Sequence, residues 1–383
     1  MQTTQPTQTL QISANFDSGN IQVLDASQPG HVRLAIRRDT HCEFMQWFHF
    51  RVSGAAGMPL RLCIENAGDC SYADGWHGYA CAASYDREHW FRIPTTFYDG
   101  HALTIEVTPQ HDTLWLAYFE PYSHERHQAL IGRCNLSPLA RVERIGASLQ
   151  GRDLDCVHVG SGAHHVWIQA RQHPGESMAE WCAEGLLARL LDPHDAVARE
   201  VRRLATLHIV PNANPDGATL GNLRANAAGA NLNREWRQPS EARSPEVLHI
   251  QTAMRATGMS LFLDLHGDET LPYVFIDGSH MVPGYGERNL QLQAAFLANL
   301  RTACPDYQTE HGYADNRFDE ELLTLASKWA AHTFGCTALT LEMPFKDNAN
   351  APDAQHGWNG ERSRQVGAAL LGPILQHLVA PGT

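Results

Sequence analysis

Between residues 10 and 120 apolar and polar side chains alternate in short runs, such as Val32-Arg33-Leu34-Ala35-Ile36, Leu60-Arg61-Leu62-Cys63-Ile64 and Trp47-Phe48-His49-Phe50-Arg51-Val52. A period of two turns successive side chains to opposite faces, so each run predicts a strand with one buried face. Clusters such as Ala67-Gly68-Asp69 and Tyr98-Asp99-Gly100 punctuate the runs at intervals of roughly 8–12 residues, the rhythm of an antiparallel β-sandwich. Beyond Ser123 the texture changes. Continuous apolar runs at 166–170, 207–211, 261–266 and 338–343 alternate with amphipathic stretches of helical period at 178–191, 195–203, 245–257, 289–303 and 363–379. That alternation predicts an α/β layered domain. The Asp192-Pro193 step separates the first two helices, because proline is tolerated only in a helix's first turn. The division is expected near the polar, His-rich stretch around 123–132, with His124 and His127 read as a solvated linker. The chain then divides into a sandwich over 1–125 and an α/β domain over 126–383. No internal repeat or low-complexity tract appears.

Composition narrows the class. A chain of 383 residues accommodates two domains, since single cores stop growing near roughly 250–300 residues. Hydrophobic content of 43% and charged content of 19% are those of a soluble globular protein. The formal charge, 29 − 42 = −13, argues against a long basic stripe for nucleic acid. No apolar run approaches the roughly 20 residues that cross a bilayer, and Met1-Gln2-Thr3-Thr4-Gln5-Pro6 lacks the basic-then-apolar pattern of a secretory signal. Nine scattered cysteines, odd in number and without a C-x₂-C pair, point to reduced thiols in the cytoplasm and give no Cys-based zinc site.

The chemistry concentrates at the ends of the apolar runs. His173-Pro174-Gly175-Glu176 follows the run ending at Ala170, and its Pro and Gly allow a turn on which His173 and Glu176 converge. His266 closes the run Leu261-Phe262-Leu263-Asp264-Leu265-His266, and Glu342 lies in Leu339-Thr340-Leu341-Glu342-Met343. Open α/β sheets bind ligands at the carboxyl ends of their strands, where His173, His266 and Glu342 fall. A close His–Glu pair with a distant third ligand suits a catalytic zinc, in which three protein groups leave a fourth position open. Any one of the 22 histidines taken alone is more simply a structural residue; no H-E-x-x-H is present. Asp264, two before His266 and on the same strand face, either supports the ligand shell or stabilises a turn. A carboxylate inside an apolar run, as at Glu342, is costly unless paired or functional. Asn214-Pro215-Asp216-Gly217 reads as a turn.

Together with Gly221-Asn222-Leu223-Arg224 and Asn231-Leu232-Asn233-Arg234, these segments resemble the M14 family of zinc metallocarboxypeptidases, in its cytosolic carboxypeptidase subfamily. The N-terminal third carries that subfamily's landmarks: Phe16-Asp17-Ser18-Gly19-Asn20, Gln46-Trp47-Phe48-His49-Phe50, Trp90-Phe91-Arg92-Ile93 and Ala117-Tyr118-Phe119-Glu120-Pro121-Tyr122-Ser123. The resemblance spans nearly the whole chain. It implies a mixed, mostly parallel sheet flanked by helices, and one zinc ion held by His173, Glu176 and His266. It makes Glu342 the general base, Arg224 the group that polarises the scissile carbonyl, and Asn233 with Arg234 the clamp on a substrate's terminal carboxylate. A planar guanidinium suits that clamp because it pairs bidentately where lysine offers a point charge. Many relatives have an Asp two positions before the Asn-Arg pair, supporting the first His ligand. Here Asn231 offers an uncharged amide oxygen, which weakens metal affinity rather than changing the reaction. The tyrosine that closes over substrate in pancreatic-type enzymes has no clear counterpart; Tyr313 lies in the right region without matching neighbours and is left out of the site.

The implied activity is hydrolysis of the C-terminal peptide bond of peptides or proteins. Some relatives trim glutamates, so a glutamate preference is an expectation, with Lys328 or Arg317 as the facing cation. Two rivals stand beside it: a same-fold deacylase of small N-acyl amino acids, and a non-catalytic zinc-containing protein that binds through Trp76, Tyr79 and Tyr85, although such aromatics most simply fill a sandwich core.

Overall fold

The computed structural model describes residues 10–314 and 322–381. Two five-stranded sheets form the N-terminal sandwich. One runs Gln11–Ser13, His49–Ser53, Thr113–Ala117, Cys81–Ser84, Trp90–Ile93, every pair antiparallel. The other runs Gln22–Asp25, Val32–Ala35, Leu60–Ile64, Leu103–Val107, Thr96–Tyr98, with one parallel pair between Val32–Ala35 and Leu60–Ile64. The alternation seen in sequence is the alternation of burial: Leu60, Leu62 and Ile64 face in, where they join Phe50, Val52, Leu114 and Leu116 in one apolar cluster. Trp76 and Tyr79 are core, the simpler of their two readings, and not the binding surface that the non-catalytic rival would use. Trp76 donates from Nε1 to the Ala67 carbonyl at 2.9 Å, and Tyr79 from its hydroxyl to the Tyr118 carbonyl at 2.8 Å. Tyr85 is half-buried against Phe91. An aromatic with a polar tip is stable inside when that tip finds a partner.

The second domain is built on a seven-stranded sheet. Its strands are β1 (Ala140–Ala147), β2 (Asp153–Val159), β3 (His164–Ala170), β4 (Ala205–Val210), β5 (Leu261–Asp268), β6 (Phe275–Asp277) and β7 (Thr337–Pro344), in the order β1-β2-β4-β3-β5-β7-β6. The four central strands, β4, β3, β5 and β7, run parallel, and antiparallel pairings at the two edges make the sheet mixed. β5 and β7 are buried at every position, as expected of strands covered on both faces. β1 alternates between half-buried and exposed residues, which left its sequence without a strong signal.

The stretch read as a linker is a helix, α1 (His124–Leu136), whose Ser123 N-cap accepts the Arg126 amide at 3.1 Å. His127 is buried in it, facing the core with Leu130, Ile131 and Cys134. Helix α2 (Ser177–Leu190) follows β3 and is buried almost throughout. Gly367 lets the helix Gly360–Ala369 approach it: a Cβ there would sit 1.9 Å from the Cys182 carbonyl oxygen. The single helix expected at 363–379 is two, Gly360–Ala369 and Leu371–Leu378. Pro373 explains the break, since it lacks an amide hydrogen and its ring crowds the carbonyl four residues back. Asn214-Pro215-Asp216-Gly217 opens a short helix, Pro215–Leu220, with Asn214 as cap.

The two domains share one continuous core. Arg92 of the sandwich reaches across the boundary, its guanidinium donating to the carbonyls of Phe345 (2.8 Å), Trp358 (2.7 Å) and His356 (3.2 Å). Beside it the Phe345 ring stacks on Tyr118 at 4.5 Å. All nine cysteines are unpaired. Among the described residues no helix is long and apolar enough to cross a membrane.

Candidate active site

At the carboxyl end of β3 the chain turns sharply. Arg171 adopts the left-handed conformation (φ 59°), and its guanidinium Nε donates to the Pro174 carbonyl at 2.9 Å, fixing the turn from within. Gly175 passes close to the loop carrying Arg224: its amide donates to the Leu223 carbonyl at 2.8 Å, and a Cβ would come within 3.0 Å of the same oxygen. The turn delivers His173 and Glu176, the latter immediately before α2, to the end of β5, where His266 stands.

There His173 Nδ1 lies 2.6 Å from Glu176 Oε1, His266 Nδ1 lies 2.8 Å from Glu176 Oε2, and the two Nδ1 atoms are 3.2 Å apart. Ligand atoms of all three lie within 4.8 Å of one another, and all three side chains are buried. The opposite ring nitrogens are held by fixed oxygens: His173 Nε2 by Asn231 Oδ1 at 3.0 Å, His266 Nε2 by Asp264 Oδ2 at 2.9 Å. Asp264 is itself fixed by Gln169 Nε2 (3.0 Å) and Gln172 Nε2 (2.7 Å), which favours its ligand-supporting reading over the turn. Burial, with Arg224 adding, pushes His173 down to about 3, whereas Asp264 and Glu176 outweigh burial at His266 and push it well above its ordinary value. Two imidazoles and a carboxylate aimed at one point, each imidazole anchored from behind, is a donor set that fits zinc.

Glu342 on β7 is the register partner of His266 on β5. Burial pushes its carboxyl well above the usual carboxylate range, with Glu176 and Asp268 adding repulsion. Oε1 accepts from the Tyr313 hydroxyl at 3.1 Å, while Oε2 is buried and has no hydrogen-bond partner among the described residues. Tyr313, omitted by the sequence reading, therefore reaches the site; it also donates to Asp268 Oδ2 at 2.7 Å. Nothing adjacent to Tyr313 in sequence signals this, because its place depends on packing from a segment without regular structure.

Arg224, Asn233 and Arg234 line the same cavity as His173, Glu342 and Tyr313. Arg224 Nη1 is 3.9 Å from Glu176 Oε1. Asn233 Oδ1 accepts the Ala326 amide at 2.8 Å, and Arg234 Nη1 donates to the Asn233 carbonyl at 2.8 Å, tying the pair together. Tyr72, from the sandwich, and Glu269 also reach the cavity; neither was anticipated. Of the two cations considered for an acidic side chain, Lys328 is buried, with Nζ 2.9 Å from Asp277 Oδ2, and also donates to the Gly278 carbonyl. Arg317 lies outside the described residues.

Such a site, at the strand ends of an α/β sheet, is that of a metal-dependent hydrolase, and comparison with known proteins says of which kind. Residues 134–361 match the zinc carboxypeptidase family, and residues 12–119 match the cytosolic carboxypeptidase N-terminal domain. The chain belongs to the M14 zinc carboxypeptidases, and it is a hydrolase of the exopeptidase class. The metallo-carboxypeptidase from Burkholderia cenocepacia is 51% identical and superposes with a TM-score of 0.95 over 96% of this chain and 99% of that one. A metallo-carboxypeptidase from Pseudomonas aeruginosa, solved with (2-guanidinoethylmercapto)succinic acid, is 44% identical, with a TM-score of 0.92 over 96% of this chain and all (100%) of that one. Cytosolic carboxypeptidase 6 of Caenorhabditis elegans is 24% identical, covering 88% of this chain and 79% of the worm protein.

Proposed function

We propose that this protein is a cytoplasmic carboxypeptidase that uses one zinc ion, held by His173, Glu176 and His266, to remove the last residue of peptides or proteins. The observation that carries the proposal is the convergence of His173 Nδ1, His266 Nδ1 and the Glu176 carboxylate, with the far nitrogen of each ring already satisfied. When bound, zinc supplies Lewis acidity, acidifying water and polarising a carbonyl. In its ionised form, which a dication held beside it would favour against the burial that raises its pKa, Glu342 takes a proton from the attacking water at its buried Oε2 and returns it to the leaving amine. Arg224 donates to the scissile carbonyl oxygen as negative charge develops there. Arg234, with Asn233, holds the terminal carboxylate and so sets cleavage one residue from the chain end. The Pseudomonas aeruginosa relative was solved in complex with a succinic acid derivative, a dicarboxylate, which supports recognition of a carboxylate. We place the seam between the sandwich and the catalytic domain at residue 125. Nine unpaired cysteines support the cytoplasmic assignment.

The glutamate preference has one support fewer than the sequence offered. Lys328 is occupied by Asp277, which leaves Arg317 as the cation that would carry the preference. The test is mass spectrometry of a peptide library with varied final residues, run with the wild type and Glu342→Gln. Loss of single C-terminal residues by the wild type, and a fall of roughly a hundred- to ten-thousand-fold in Glu342→Gln with zinc content unchanged, is expected. Equal activity in the two proteins would remove Glu342 from the mechanism, and equal rates on glutamate- and leucine-ended peptides would end the acidic preference.

A further inference from the structure

We infer that Asp39, in the N-terminal sandwich, is a positioning residue for Arg224, so that the group aligned on the scissile carbonyl is held from the other domain. The inference rests on the role proposed for Arg224 above. Asp39 is buried and accepts three successive backbone amides: Leu223 on Oδ1 at 2.7 Å, Arg224 on Oδ2 at 2.7 Å and Ala225 on Oδ2 at 2.9 Å. These amides follow Gly221, the left-handed residue that ends the helix Pro215–Leu220, so neither a helix nor a sheet provides them with carbonyls. Without Asp39, amides buried here lack an acceptor, and an unsatisfied buried amide is costly.

The rest of the loop is gripped by the same part of the chain. Asn20 Nδ2 donates to the Gly221 carbonyl at 2.9 Å, and the Thr40 amide donates to Asn222 Oδ1 at 3.1 Å. The guanidinium of Arg224 is held as well, 5.4 Å from the Tyr72 ring and 5.7 Å from the Phe44 ring, both sandwich residues. Cation–π contact with two rings limits where that head can lie. Backbone and head of Arg224 are thus both set by residues some 150 to 185 positions earlier in the chain, with Asp39 fixing the peptide from which the side chain springs. A misplacement of about 1 Å in a reacting geometry can cost about a hundredfold in rate.

The experiment is a double-mutant cycle in the full-length zinc enzyme, using the peptide shortened fastest in the library. Arg224→Ala is expected to lower kcat roughly a hundred- to a thousandfold, as for loss of one oxyanion donor. Asp39→Ala is expected to lower kcat roughly ten- to a hundredfold with little change in KM and undiminished zinc content. In the Arg224→Ala background Asp39→Ala is expected to cost less than about twofold, because there is no guanidinium left to misplace. Asp39→Asn, which keeps size and one acceptor oxygen, serves if the alanine variant does not fold, with an intermediate loss that likewise vanishes beside Arg224→Ala. The same fractional loss in both backgrounds would overturn the inference, showing a role in stability alone. An unchanged kcat in Arg224→Ala by itself would instead overturn the role of Arg224, and the inference with it.

Discussion

Helix α2 borders two buried clusters of similar residue types that are arranged in opposite ways. Glu176 stands just before its first turn and Glu180 one turn later, and each meets an imidazole. At Glu180 the imidazole of His127 spends its two nitrogens in different directions, Nδ1 on Glu180 Oε1 at 2.7 Å and Nε2 on Asp155 Oδ2 at 3.3 Å. Arg171 Nη1 and Asn212 Nδ2 complete Glu180 at 2.7 and 3.0 Å, so every group there is answered and the cluster is closed. At Glu176 two imidazoles turn the same nitrogen, Nδ1, toward one point, and the far nitrogens are tied off. Residue types do not distinguish a metal site from a structural ion-pair network; divergence against convergence does. The closed cluster also serves the open one, since Arg171 bridges Glu180 to the Pro174 carbonyl within the turn that aims His173 and Glu176.

The widest separation between the clusters is expected on removing their acids. Glu176→Ala should bring zinc, by metal analysis after dialysis, to below about a tenth of an ion per chain, as fits a site of three protein ligands. Glu180→Ala should retain zinc but lower unfolding stability by about 3–5 kcal/mol in denaturant titration, because it strands His127 and Arg171. Equal zinc loss in both variants would mean the clusters form one unit. Next is the pH response of the closed cluster. Burial alone would lower the pKa of His127, but Asp155 and Glu180 raise it from 6.5 to about 9. A raised folded pKa gives stabilisation that is complete below pH 6.5 and is lost as pH climbs through about 9. The wild type is therefore expected to lose up to about 3 kcal/mol across that window, and His127→Asn to lack this slope in melting curves at stepped pH. Parallel slopes would remove His127 as the cause. The smallest effect concerns the open cluster's anchor: Asn231→Asp places a charge behind His173 Nε2 and is expected to tighten zinc about tenfold in chelator competition. Unchanged affinity would show that the amide already suffices.

The four residues proposed for the centre were legible because they sit where local rules are strict. His266 and Glu342 close runs buried on both faces, and His173 and Glu176 share a turn only four residues long. The closed cluster was not read, although a signal existed: His127, Leu130, Ile131 and Cys134 recur at the i, i+3, i+4, i+7 spacing of a buried helix stripe. A histidine in the first apolar slot hid it, and the segment looked like linker. Tyr313, Tyr72 and Asp39 were out of reach for another reason. Each enters the site through contacts distant in sequence, 184 positions for Asp39 and Leu223, which no local period encodes. The same holds for Lys328, whose partner Asp277 lies on β6, an edge strand of three residues.

Arg92 gives the architecture a consequence for domain exchange. The three carbonyl partners of its side chain across the seam include Phe345, three residues past Glu342, so the sandwich holds the chain just beyond the proposed base. Exchanging this sandwich for one that lacks an arginine and a tyrosine at these two places would leave those carbonyls unanswered and the Phe345 ring without its Tyr118 platform. A change on one side of the seam therefore calls for a matching change on the other.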